Sequence, residues 1–169
     1  MKIMQMTLVP LFVAAVFTFG VVAHAEEQRV PAFKLTSLEG KKFTQDDLNG
    51  KVTLMVFWAS WCGTCKHELP GISGLQEKMK KQGFQVLAVG FSDAEANVRK
   101  YVTANPRTFN FPVFYDTGDR VASQWDVRGT PTLFLIDKKG QIVLSHAGGG
   151  LLESRAFQKK LDTLILSPS

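Results

Sequence analysis

Residues 52–58 read V-T-L-M-V-F-W. An extended segment this apolar has no face to offer to water, so it reads as an interior strand of a sheet covered on both sides. From Thr64 to Gln82 the pattern changes. Leu69, Ile72, Leu75 and Met79 recur at spacings of three, three and four, which marks one face of a helix, and Gly83 stops it. A second apolar run, Gln85 to Val89, follows. A strand, a helix and a strand of these lengths make a right-handed parallel crossover.

The remaining elements extend that unit. Ala32 to Ser37 and Lys42-Phe43 flank Leu38-Glu39-Gly40 as a small hairpin. Asp93 to Thr103 reads as a helix closed by Asn105-Pro106, Phe111 to Tyr115 as a short strand, and Asp119 to Trp125 as a short helix. Thr132 to Ile136 and Gln141 to Ser145 form a hairpin across Asp137-Lys-Lys-Gly140. Gly148-Gly149-Gly150 reads as a flexible connection. Leu151 to Leu166 is an amphipathic closing helix with Phe157, Leu161, Leu164 and Ile165 facing inward. The expected class is α/β, with a mixed sheet flanked by helices on both faces.

The N-terminus changes how the rest is read. Residues 8–22 are mostly apolar, with Lys2 the only charge before them, and they end in Ala23-His24-Ala25. That is the pattern of a signal peptide cleaved after Ala25. An uncleaved membrane anchor is the alternative, although the run is shorter than the roughly 20 residues a spanning helix needs. Either reading places the remainder outside the cytoplasm. Residues 26–169 then form one domain, opening on a loose lead-in over 26–31. Loss of Lys2 with the leader would take the net charge from +5 to +4. The basic residues are scattered in doublets such as Lys80-Lys81, without basic-aromatic interleaving, so nucleic acid is not an expected partner.

Cys62 and Cys65 are the only cysteines. A structural staple, part of a metal site and a working disulfide compete to explain them. A staple closing so short a loop gains little. Structural zinc wants four ligands, and the exported chain adds only His67 and His146. The third use fits the position. The strand 52–58 ends, Ala59-Ser60-Trp61 turns, and the helix starts within C-G-T-C. Unpaired N–H groups at a helix N-terminus favour an anion, so Cys62 should ionise more readily than a free cysteine. Cys65, one turn deeper, would be the shielded sulfur that resolves a mixed disulfide on an exposed Cys62. Trp61 could cover one side of the pair or simply pack. Pro70 lies inside the helix, where it removes a backbone hydrogen bond. Pro131, in G-T-P-T, must sit at a strand's start. On its own, the sequence favours a trans bond before it, because cis is found in only about 5–6% of such bonds.

W-C-G-T-C, Pro70 five residues after the second cysteine, and V-R-G-T-P-T further on together resemble the thioredoxin superfamily. Within it, F-W-A-S-W-C-G-T-C-K-H-E-L-P is similar to the exported TlpA/ResA-type thiol–disulfide oxidoreductases, which include the cytochrome c maturation reductases. The similarity runs from about Phe33 to the closing helix. It implies a thioredoxin-like fold with an N-terminal hairpin and an extra helical insert over Phe91 to Phe111. It implies catalytic roles for Cys62 (attacking), Cys65 (resolving) and Glu68, and no cofactor. It turns Pro131 into a cis proline facing the disulfide. Thr130 would then offer its backbone to an extended substrate, with Trp61 beside it. Plain thioredoxin has a buried aspartate where this chain has Val56. The resemblance substitutes Glu68, one turn from Cys65, as a partly buried carboxylate able to take that thiol's proton. His67 is expected to face solvent, and His146 to be structural.

Gly63 and Thr64, between the cysteines, include no cation to stabilise the thiolate. The pair therefore leans toward thioredoxin's reducing side, about −270 mV, and away from DsbA near −120 mV. The expected partners are disulfide-containing exported proteins such as apocytochrome c, and a membrane thiol donor of DsbD/CcdA type. A monomer is expected. Two rivals are weighed against this reading. A copper chaperone could use the same thiols, but known copper proteins of this fold usually space their cysteines C-x-x-x-C. A thiol peroxidase would need Pro at 55 and Thr at 59, where the chain has Met55 and Ala59.

Overall fold

The computed structural model of the protein describes residues 28–167. The expected signal peptide lies outside the described residues. Among those described, no helix is long and apolar enough to cross a membrane.

The crossover forms as the sequence requires. Strand β4 (Val52–Trp58) is buried along its whole length. It leads into α1 (Gly63–Met79), a 3-10 turn (Lys80–Gln82) and β5 (Phe84–Gly90). β4 and β5 pair in parallel, Val52 opposite Phe84. Gly83 ends the helical stretch at φ 79°, the left-handed conformation that glycine adopts without steric cost.

Six strands make the main sheet. β6 (Val113–Tyr115) extends it in parallel beside β5. On the other flank β7 (Thr132–Ile136) runs antiparallel to β4, and β8 (Gln141–Ala147) antiparallel to β7. The outermost strand corrects the expected loose lead-in. Strand β1 (Gln28–Arg29) pairs antiparallel with β8 at the sheet edge, Gln28 opposite Ile142 and Arg29 opposite Gln141. Two polar residues carry no strand periodicity, and an edge strand needs only backbone partners. The sheet order is therefore β1, β8, β7, β4, β5, β6. The hairpin of β2 (Lys34–Thr36) and β3 (Lys42–Thr44) forms a separate two-stranded sheet.

Alternation along β4 divides the core in two. Val52, Leu54, Val56 and Trp58 face α1, the insert helix α2 (Glu95–Ala104) and the closing helix α4 (Arg155–Leu166). Met55 and Phe57 face the hairpin and the short helix α3 (Arg120–Gln124). On that second face Phe57 packs against Phe91, Trp125 and Phe134, each with ring centroids 5.9 Å away. The cysteine pair belongs to the first face, with Leu69, Leu133 and Leu151. The sheet is thus mixed and covered on both faces, as expected.

Candidate active site

The loop between β4 and α1 is held from outside. Asp93, in the loop before α2, accepts the Ser60 N–H at 2.7 Å with one carboxylate oxygen. Its other oxygen accepts the Ala94 N–H at 2.8 Å and the Asn97 amide at 3.2 Å. Burial alone would raise the Asp93 carboxyl, but hydrogen bonds from Ser60, Asn97 and Ala94 outweigh it and hold the group below its ordinary value. The Trp61 indole donates to the Ser92 carbonyl at 2.9 Å, and Phe91 N–H donates to Trp58 O at 3.0 Å. Trp58 in turn stacks on Phe109 and Tyr101 of the insert, centroids 5.1 and 5.7 Å apart. The insert therefore braces the loop that presents the cysteines.

Cys62 is the N-cap of α1 and is joined to Cys65 by a disulfide. The Cys62 sulfur accepts the Cys65 N–H at 3.1 Å, so a backbone dipole points at the first sulfur of the pair. In this oxidised form Cys62 is 5% exposed and Cys65 1%. That corrects the expectation of an openly exposed attacking sulfur: bonded to each other, the two sulfurs shield one another, and Cys62 is only the more accessible of the two. Trp61 is 61% exposed, so it does not serve as core packing.

Thr132, the first residue of β7, lies opposite Phe57 near the end of β4. Thr130 and Pro131 therefore enter at the sheet end from which the cysteine loop leaves. The bond between them is cis, as the family resemblance implied and against the trans turn favoured by the sequence alone. Both line a groove of about 610 Å³ together with Trp125, Arg128 and His146.

Glu68 is half-buried on α1. The Gly150 N–H donates to its Oε1, and its Oε2 is buried with no partner. The triple-glycine segment is thus pinned, which corrects its reading as a flexible connection. Gly148 N–H donates to the Pro131 carbonyl at 2.8 Å, and the Gly149 carbonyl lies 3.0 Å from His146 Nε2. His67 faces solvent. Val56 is buried where plain thioredoxin has its aspartate. Among the described residues no group of three or more His, Cys, Asp or Glu is arranged as a metal site.

Two contributors were not singled out in the sequence. Asp93 carried a signal, an acidic residue just before a helix, but that signal points to its own helix and not to Ser60. The glycine turn carried none beyond its composition.

A sulfur pair at a helix mouth, with one carboxylate a turn away, is equipped to exchange electrons with another disulfide. On this sheet order, such chemistry defines the thioredoxin-like thiol–disulfide oxidoreductases. Comparison with known proteins agrees. Residues 25–160 match the Redoxin family model. The chain is 35% identical over 128 residues to the thiol–disulfide oxidoreductase ResA of Bacillus thuringiensis, covering 73% of each chain. It is 37% identical over 112 residues to ResA of Geobacillus thermodenitrificans, covering 66% of this chain and 63% of the relative. A DsbE-type thiol:disulfide interchange protein of Chlorobium tepidum superposes with TM-score 0.75 at 31% identity, over 82% of this chain and 96% of that one. A thioredoxin-type protein of Neisseria meningitidis superposes with TM-score 0.72 at 35% identity, over 81% and 90%. The chain belongs to the Redoxin family, as a ResA/TlpA-like member of the thioredoxin superfamily. It is a thiol–disulfide oxidoreductase, and its partners are disulfide-containing proteins.

Proposed function

We propose that the protein is exported behind a signal peptide and works as a monomer outside the cytoplasm, reducing disulfides in other exported proteins, apocytochrome c among them. The observation that carries this reading is the Cys62 sulfur at the N-cap of α1, receiving the Cys65 N–H at 3.1 Å. In the reduced enzyme the same dipoles favour a thiolate on Cys62. That thiolate attacks one sulfur of the substrate's disulfide, and the other substrate sulfur leaves. Cys65 then passes its proton to Glu68 and attacks the Cys62 sulfur. The mixed disulfide breaks, the substrate departs as a dithiol once protonated, and the Cys62–Cys65 disulfide forms. Two electrons pass from enzyme to substrate. Thr130 and Pro131 carry the extended substrate on one side of the pair, and Trp61 contacts it on the other. A membrane thiol donor of DsbD/CcdA type returns the electrons.

The reducing direction is supported by the residues around the thiolate. Gly63 and Thr64 bring no charge, and the following Lys66 lies over the Tyr101 ring, 5.1 Å from its centroid.

The test is a trap. Cys65→Ser leaves Cys62 without its resolving partner, so substrates accumulate on it as mixed disulfides, to be identified by mass spectrometry. Apocytochrome c on the trap assigns a cytochrome-maturation role, and a broad set of exported proteins a general reductase. An empty trap, together with tight stoichiometric Cu(I) binding, would replace this reading with the copper chaperone. The reduction potential against glutathione is expected nearer thioredoxin's value of about −270 mV than the −120 mV or so of DsbA.

A further inference from the structure

We propose that the turn Gly148–Gly150 is a positioning device for the Glu68 carboxylate, and so for proton removal from Cys65. This rests on the role given above to Glu68. The turn joins β8 to the closing helix, 82 residues along the chain from Glu68, and three contacts fix it. Gly148 N–H binds the Pro131 carbonyl at 2.8 Å. The Gly149 carbonyl meets His146 Nε2 at 3.0 Å. The Gly150 N–H donates to Glu68 Oε1.

The division of labour between the two carboxylate oxygens is the central point. One is occupied by the turn, which fixes the rotamer. The other, Oε2, is buried without a partner. A buried carboxylate oxygen left without a donor is costly, and taking up the Cys65 proton gives this one a use. The arrangement leaves a single free acceptor one helical turn from the thiol that must lose its proton.

At Gly149 the turn has no room for a side chain. A Cβ on Gly149 would stand 2.8 Å from Thr64 Cγ2 and 3.2 Å from Glu68 Oε1. Gly148 and Gly150 hold φ of 90° and 89°, conformations that L side chains rarely adopt. Gly149 is therefore required by the helix it touches, and Gly148 and Gly150 by the path of the backbone.

The reaction to be followed is that of the reduced protein with an aromatic disulfide that releases a coloured thiolate at each step. The first release reports attack by Cys62, and the second reports resolution by Cys65. Gly149→Ala is expected to leave the first phase unchanged and to slow the second about tenfold or more, as a displaced catalytic group does. Glu68→Gln is expected to slow the same phase. The double variant should be no slower than Glu68→Gln alone, because the turn acts only through that carboxylate. Because Gly149→Ala also crowds Thr64, a companion pair is needed. Thr64→Ser removes Cγ2, so Gly149→Ala in that background presses on Glu68 alone. It must still slow the second phase relative to Thr64→Ser. If Glu68→Gln slows resolution and Gly149→Ala does not, the positioning role is overturned while the base survives. An additive double variant, or equal slowing of both phases, likewise overturns it. If Glu68→Gln itself leaves the second phase untouched, the base assignment fails and the turn's role falls with it.

Discussion

Asp93 contributes both to holding the site and to acid sensitivity. Its carboxylate gathers three donors, and the one from Ser60 ties the insert to the cysteine loop. Because the folded protein holds this carboxyl below its ordinary value, it binds the proton less readily than in the unfolded chain. The stabilisation is therefore complete above the unfolded value and lost as pH falls through the folded one. Asp93→Asn should lower stability by about 1 kcal/mol near neutral pH, the scale of a hydrogen bond to a charged group at a partly exposed site. The gap to the wild type should narrow in acid, as measured by urea unfolding across a pH series. At the cysteines, the N-cap position predicts selective reactivity. In the reduced protein at neutral pH, Cys62 should be alkylated well before Cys65, a ratio readable by peptide mass mapping. Equal labelling would remove the physical basis of the mechanism.

Among the elements, β5 and α2 meet closely at Gly90. A Cβ on Gly90 would stand 3.0 Å from both Val98 methyls and 3.5 Å from the Phe114 carbonyl. β5 ends on this glycine so that α2 can lie against it. Gly90→Ala should cost about 1–3 kcal/mol, the range for overpacking a filled core, and show as a lower urea midpoint with unchanged slope. The elements are also where sequence and structure compare most directly. Seven residues, all but Thr53 apolar, defined β4 to the residue, and the 3.6-residue period placed α1 within a residue or so of its start. The strand at Gln28–Arg29 was not legible, because an edge strand of two polar residues has neither period nor burial. The glycine turn was read by its intrinsic freedom. Two of its three contacts come from residues well away in the chain, Pro131 and Glu68.

At the scale of the whole molecule, the sheet separates chemistry from much of the stability. The cysteines sit with one core, and the Phe57 aromatic cluster fills the other. Phe57 is fully buried. Phe57→Ala should therefore cost about 3–5 kcal/mol, as large-to-small changes in cores do. The reduction potential of the surviving folded protein should stay at the wild-type value. A shifted potential would mean that the two faces are coupled through the sheet.

The crossover, the two-faced sheet and the sulfur pair at a helix mouth could be read from residue order, because each follows from neighbouring residues and their period. Family resemblance added the cis bond at Pro131, which local preferences opposed. The surroundings of the sulfurs, by contrast, came from the folded arrangement. Ser60 meets Asp93 across 33 residues, and Glu68 meets Gly150 across 82. Contacts at such separations depend on how the sheet and its loops close in space, and no local pattern encodes them.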